Sequence, residues 1–287
     1  MFDAHIHYHY GKSDTPQEFL RKAAEGGVTG GNLISTFTKK HIGNADGDYR
    51  WQARLEAILE FTSQTPGFYP FFWFDPTEAD YEKQISTAVE MGIAGFKIIC
   101  ESYYPEDCFP ACRLIAETGR PVMFHSGVLG ESRDMLAAKY NMPSSFEGLF
   151  AIKGLRFSLA HLGWPWVDDY MGMVAKSCFT YDPEFGNRMY FDLTPGTPGI
   201  FREESLRKLY LAGYRIKNLV LWGTDGQTND YAPLLPRHWE KRDRAYMEKI
   251  AADAPVAKFP FAQSEPDLSD IFELATEENW KSFLALD

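Results

Sequence analysis

The residues best suited to chemistry in this sequence stand at the ends of apolar runs. The first run reads Phe2-Asp3-Ala4-His5-Ile6-His7. In an extended strand successive side chains point to opposite faces, so Asp3, His5 and His7 share one face while Ala4 and Ile6 share the other. Two imidazoles two residues apart can both reach one divalent ion at about 2.1 Å. Other apolar runs end Val122-Met123-Phe124-His125, Ser158-Leu159-Ala160-His161 and Leu221-Trp222-Gly223-Thr224-Asp225. A cation held by neutral imidazoles lowers the pKa of water from about 15.7 towards 7, and a carboxylate within hydrogen-bond reach completes general-base catalysis. A lone histidine in such a place is ordinarily a hydrogen-bonded core residue. With four of the chain's seven histidines at run ends, that explanation fails for the set. His9 continues the period-two series and reads equally as a ligand-orienting or a solvated loop residue. His41 and His238 fall in loop or helix-start sequence and receive no role.

These side chains need a scaffold that brings distant run ends together. Eight β-rich runs recur, Phe2 to Tyr8, Val28 to Thr36, Phe68 to Phe74, Ala94 to Cys100, Pro121 to His125, Leu155 to His161, Arg188 to Thr194 and Asn218 to Asp225. Segments of helical periodicity lie between them: Thr15 to Glu25, Tyr49 to Ser63, Glu78 to Met91, Phe109 to Glu117, Trp166 to Lys176, Glu203 to Ala212 and Trp239 to Ala251. Strand starts recur about every 31 residues, the period of one unit of a (β/α)8 TIM barrel, an α/β fold whose active site forms at the C-terminal ends of the strands. A doubly wound dinucleotide fold would carry GxGxxG after the first strand, where this chain is histidine-rich. A single domain over 1–287 is expected, with the barrel over about 1–252 and a proline-rich tail over 253–287 that ends in a helix from Leu268 to Leu284.

Composition sets outer limits. The 287 residues are 45% hydrophobic and 24% charged, which excludes disorder, and the formal net charge of −11 repels nucleic acid and anionic membranes. No apolar run approaches the roughly 18 residues of a membrane span, and the opening residues lack a basic-then-apolar leader. A cytoplasmic protein acting on a small molecule is expected. Cys100, Cys108, Cys112 and Cys178 include no CxxC pair, so they read as reduced; Cys108 and Cys112, four apart in a helix, read as core filling.

Taken in order, Asp3-Ala4-His5-Ile6-His7, Gly95-Phe96-Lys97, His125-Ser126-Gly127, Ala160-His161-Leu162-Gly163 and Gly223-Thr224-Asp225 resemble the amidohydrolase superfamily, and within it the amidohydrolase-2 branch of metal-dependent TIM-barrel hydrolases and decarboxylases. The resemblance covers nearly the whole chain. It implies that His5 and His7 bind a divalent metal, commonly zinc, with His125 and Asp225 beside it. It further implies that Asp225 doubles as the base for the metal-activated water and that His161 polarises the substrate. Deoxyribonucleases of the superfamily carry a Glu on the fourth strand and Glu-Thr-Asp on the eighth; Lys97 and Gly223-Thr224-Asp225 depart from that pattern. Branches with two metals carboxylate a fourth-strand lysine. Here one metal per chain and an unmodified Lys97 paired with an acid are expected.

Loops after these strands would set specificity. Arg133 and Lys139, in the stretch Ser126 to Glu147 that also holds Glu131, Tyr140 and Asn141, are candidates to hold a substrate carboxylate; Lys97 on the fourth strand is a further candidate for substrate contact, and Trp164 is a candidate apolar wall. The loop Thr194 to Gly199 follows the seventh strand, where barrels bind phosphate, but its first basic residue is Arg202. The expected activity is metal-dependent hydrolysis of a lactone, amide or ester of a small carboxylated molecule. Non-oxidative decarboxylation of an aromatic or unsaturated acid is the alternative, disfavoured by Leu162-Gly163-Trp164-Pro165 after the sixth-strand histidine. A non-catalytic metal-binding barrel is disfavoured because a structural site needs no spare base such as Asp225.

Overall fold

The computed structural model describes residues 1–38, 41, 49–130, 137–254 and 267–286. Its strands are β1 (Phe2–His7), β2 (Gly30–Ile34), β3 (Phe68–Trp73), β4 (Gly95–Ile98), β5 (Val122–Phe124), β6 (Arg156–Leu159), β7 (Arg188–Asp192), β8 (Val220–Leu221) and β9 (Gly226–Gln227). All pair in parallel in the order β8-β7-β6-β5-β4-β3-β2-β1-β9. The ring closes where the Ala4 N–H donates to the Trp222 carbonyl at 2.9 Å and β9 pairs with β1. β8 and β9 are therefore two pieces of one eighth strand, and the fold is a TIM barrel. The expected run Asn218 to Asp225 is broken because Asp225 takes a left-handed conformation (φ 58°), which no ladder accommodates.

Helices α1 (Pro16–Glu25), α2 (Trp51–Ser63), α3 (Tyr81–Glu90), α4 (Phe109–Glu117), α5 (Val167–Phe179), α6 (Gly199–Leu211) and α7 (Leu234–Asp253) alternate with the strands. Thr15 caps α1 by accepting from the Glu18 N–H, with Pro16 at the first helical position. The sixth and seventh helices begin earlier than their apolar periodicity suggests. Pro198 and Pro233 stand just before their first turns, and Pro236 lies within the first turn of α7, where a missing N–H costs nothing. No helix among the described residues is long and apolar enough to cross a membrane.

The core is unusually aromatic: Phe71, Phe72, Phe74, Phe96, Phe124, Phe157 and Phe191 are fully buried on or beside the strands. Cys100, Cys108 and Cys112 are buried among them as free thiols. The final helical segment, Ile271–Leu284, lies across the N-terminal ends of the strands. Trp280 stacks on Phe2 at 4.0 Å, the Asn279 amide donates to the Lys217 and Val220 carbonyls, and Arg156 donates to the Phe283 carbonyl. It closes the end of the barrel opposite the histidines.

Candidate active site

Strand alternation puts Asp3, His5 and His7 inside the barrel at successive heights. Asp3 is deepest and fully buried; it accepts from the Thr224 N–H at 3.0 Å and from the Thr224 hydroxyl at 2.6 Å, which anchors the chain just before Asp225. Burial raises the Asp3 pKa to about 7 despite these bonds. Above it, His5 Nδ1–H donates to Asp192 Oδ2 at 3.1 Å, which leaves the lone pair on Nε2. Burial, with the Lys97 charge second, holds the His5 pKa down at about 4, so the ring is neutral at pH 7. At Asp192 burial opposes ionisation, but the bond from His5, the neighbouring His5 and His161 rings and the bond from Thr194 together outweigh it, and the carboxyl stays below its ordinary range.

Three donors converge at this point. His7 Nε2 lies 3.2 Å and His5 Nε2 3.6 Å from Asp225 Oδ1, and one atom from each residue falls within a 4.8 Å group. Burial disfavours the charged Asp225 carboxylate, yet the bond from His7 and the neighbouring imidazoles hold its pKa well below the usual range. Two imidazole nitrogens and a carboxylate oxygen facing one another, with a second carboxylate fixing one ring from behind, are the donor set and support of a divalent cation. The residues present fit that group. Lys97 Nζ lies 3.4 Å from His5 Nε2, and burial lowers its pKa to about 8. Its expected acid partner is not within ion-pair distance among the described residues; Asp192 and Asp225, both in contact with the histidines, act on the ammonium from further off and oppose the effect of burial.

His125 and His161 stand together on the other side, ring centroids 4.8 Å apart, and burial lowers both pKa values. His161 does not end β6. It follows the strand in a tight turn with φ 64°, and Leu162 beside it has φ 48°. Left-handed backbone at bulky residues costs free energy and collects at functional sites. The turn aims the ring inward, with Nδ1–H on the Thr194 carbonyl at 3.3 Å. His125 Nε2–H donates to the Val128 carbonyl at 3.3 Å, and this ring lies outside the compact three-residue group. Gly196 packs on His161: a Cβ there would fall 2.7 Å from His161 Cβ and 2.9 Å from Cγ. Gly196→Ala is therefore expected to displace the ring and lower turnover by about 10- to 100-fold with metal content unchanged, checked by kinetics beside elemental analysis.

A cavity of about 370 Å³ opens above these groups, lined among others by Trp73, Lys97, Ser126, Trp164 and Gln227. Trp164 forms a wall, as its position after His161 suggests. Lys139 lies outside the cavity, exposed, with its ammonium 4.6 Å from the Tyr140 ring centre. Glu131 and Arg133 lie outside the described residues. Arg202, the first base in sequence after the seventh-strand loop, is buried and turned to Asp243; the guanidinium that reaches this loop is that of Arg242, which donates to the Gly199 carbonyl at 2.6 Å. Sequence reasoning passed over Asp192, although it ends an apolar run as the histidines do, because the run was read on to Thr194. It also gave no role to His41, which lines the cavity.

A parallel barrel with imidazoles and carboxylates gathered at the C-terminal strand ends defines a class of enzymes that work with a divalent metal. Within that class the chain belongs to the amidohydrolase family, whose model matches residues 2–281. A search of curated proteins finds no match. Among solved structures it is similar to a putative 2-pyrone-4,6-dicarboxylic acid hydrolase from Pseudomonas putida (12% identity, 100% of this chain and 97% of that one, TM-score 0.60). It is also similar to a probable 2-pyrone-4,6-dicarboxylic acid hydrolase from Acinetobacter baumannii with citric acid bound (12%, 99% and 98%, 0.57). An amidohydrolase from Burkholderia multivorans with bound zinc aligns likewise (10%, 99% and 98%, 0.58). At these identities the likeness is one of fold.

Proposed function

We propose that the protein is a metal-dependent hydrolase acting on a lactone, amide or ester of a small carboxylated molecule. The observation that carries this reading is the convergence of His5 Nε2, His7 Nε2 and Asp225 Oδ1, with Asp192 fixing the His5 ring. His5, His7 and Asp225 would hold one ion per chain, for which the two-nitrogen, one-oxygen set suits zinc, and the ion supplies Lewis-acid activation of water and of the substrate carbonyl. Asp225 accepts the proton of the attacking water at its carboxylate and returns it to the leaving group. His161, with Nδ1–H on the Thr194 carbonyl, turns the lone pair of Nε2 to the cavity, where it accepts a hydrogen bond from the attacking water and orients it. His125 brackets that ring. Lys97 supplies the inner end of the cavity with its ammonium, a partner for the substrate carboxylate.

Purified protein is expected to carry about one divalent ion per chain. The His5→Ala, His7→Ala double variant should lose it, and His125→Ala should lose least because that ring is tied to Val128. Elemental analysis reads all three. Wild-type metal content in the double variant, or a second ion bridged by a carboxylated Lys97, would overturn the assignment. Screening lactone, amide and ester panels tests the reaction itself; carbon dioxide release from carboxylates without hydrolysis would replace it with decarboxylation.

A further inference from the structure

The cavity has a second wall for which the proposed hydrolysis has no task. Outward from His7, its ring meets Trp73 at 5.8 Å, Trp73 meets His41 at 4.8 Å, His41 meets Phe37 at 5.4 Å and Phe37 meets His9 at 5.9 Å. All of these rings line the cavity. His41 and Glu101 are 6% and 8% exposed, and His41 Nδ1–H donates to the Glu101 carboxylate. Glu101 borders a small adjoining void with Trp73 and Ile99 and does not reach the main cavity. The imidazole thus has a carboxylate at its back and the cavity at its front. With Nδ1 committed as donor to Glu101, Nε2 carries the lone pair of that tautomer and offers the cavity a hydrogen-bond acceptor. His9 Nε2, beyond Phe37 on the same wall, is buried without a hydrogen-bond partner among the described residues.

We propose that Phe37, Trp73, His9 and His41 form a second subsite, selecting substrates whose flat or apolar end, away from the scissile bond, carries an uncharged hydrogen-bond donor such as a hydroxyl or amide N–H. Glu101 is the positioning residue for His41. A carboxylate at this end would meet the ring's lone pair with the Glu101 charge behind it, and an acceptor-only group would leave Nε2 unpaired; a site built to bond a donor rejects both. Among the described lining residues the Lys or Arg cation is Lys97, at the inner end, so the two ends of the cavity differ in charge preference. This rests on the proposed hydrolysis only in taking the reacting end to lie at His5, His7 and Asp225.

The test uses metal-loaded protein and three probes that share a benzoate end and differ at the para position: 4-carbamoylbenzoate (neutral donor), 4-acetylbenzoate (neutral, acceptor only) and terephthalate (anionic). Calorimetric titration is expected to show 4-carbamoylbenzoate binding about tenfold more tightly than 4-acetylbenzoate, with terephthalate weakest. His41→Phe should bring the first two within about twofold, and Glu101→Gln should shrink the gap between the first and third. Phe37→Leu, at a half-buried position, should weaken all three together. Equal affinities for the two neutral probes, terephthalate binding tightest, unchanged ratios in the His41 and Glu101 variants, or no binding of any probe would each overturn the subsite. No turnover is needed: a protein that ranks the probes as expected but hydrolyses nothing keeps the subsite and loses the hydrolase reading, and the reverse result does the opposite.

Discussion

Asp225→Asn should lower turnover by about two to four decades while the Michaelis constant and metal content change little. The side chain keeps its size and an oxygen able to face His5 and His7, but loses the carboxylate that accepts the proton of the attacking water. Asparagine is also the replacement the backbone permits. Asp225 sits at φ 58°, where Asn is tolerated, whereas Ala would add about 1–2 kcal/mol of strain and mix a folding defect into the kinetic one. Asp3 braces Thr224, the preceding residue, independently of the Asp225 side chain, so the turn is expected to survive. Steady-state kinetics on a substrate found in the screen, beside elemental analysis, separates the outcomes. Retention of more than about a tenth of wild-type turnover would mean that another group, His161 first among them, takes the proton.

Convergence in one site does not give these residues comparable visibility in the sequence. His5 and His7 are legible because strand alternation is a local rule: two residues apart on β1 means the same face. The barrel was legible from its period, which depends on element lengths more than on any single boundary. His161 was legible by type and order, but its position depends on a left-handed turn after Leu159 that no hydrophobic pattern encodes. Asp192 had the same local signal as His125, an ionisable residue closing an apolar run, and was hidden only because Leu193 and Thr194 prolong the run. The partnership of His41 and Glu101 was out of reach, since the two lie 60 residues apart and meet only when β2 and β4 take their places in the ring. Local periodicity reports faces and periods; contacts between loops arise from closure of the whole sheet.

A buried ion pair stands beside that closure, and breaking it should have the largest effect on stability. Arg202 on α6 donates from Nε and Nη2 to Asp243 on α7 at 3.0 and 2.7 Å, and Trp222 Nε1 donates to the same carboxylate at 3.1 Å. The two charged side chains are fully buried. Trp222 supplies the carbonyl that closes the ring to Ala4 and stands three residues before Asp225, so the pair ties two outer helices to the strand carrying the proposed base. Asp243→Ala strands a guanidinium and an indole N–H without their acceptor, a loss of about 3–5 kcal/mol. For a chain of this size that corresponds to a fall in Tm on the order of 10 °C. Replacing both partners with apolar residues, Arg202→Met with Asp243→Leu, should cost less than Asp243→Ala alone, because no unpaired charge stays inside. Thermal melts of the three proteins decide it. A double variant at least as unstable as the single one would mean that the shape of this contact, and not the pairing of its charges, holds the eighth strand in place.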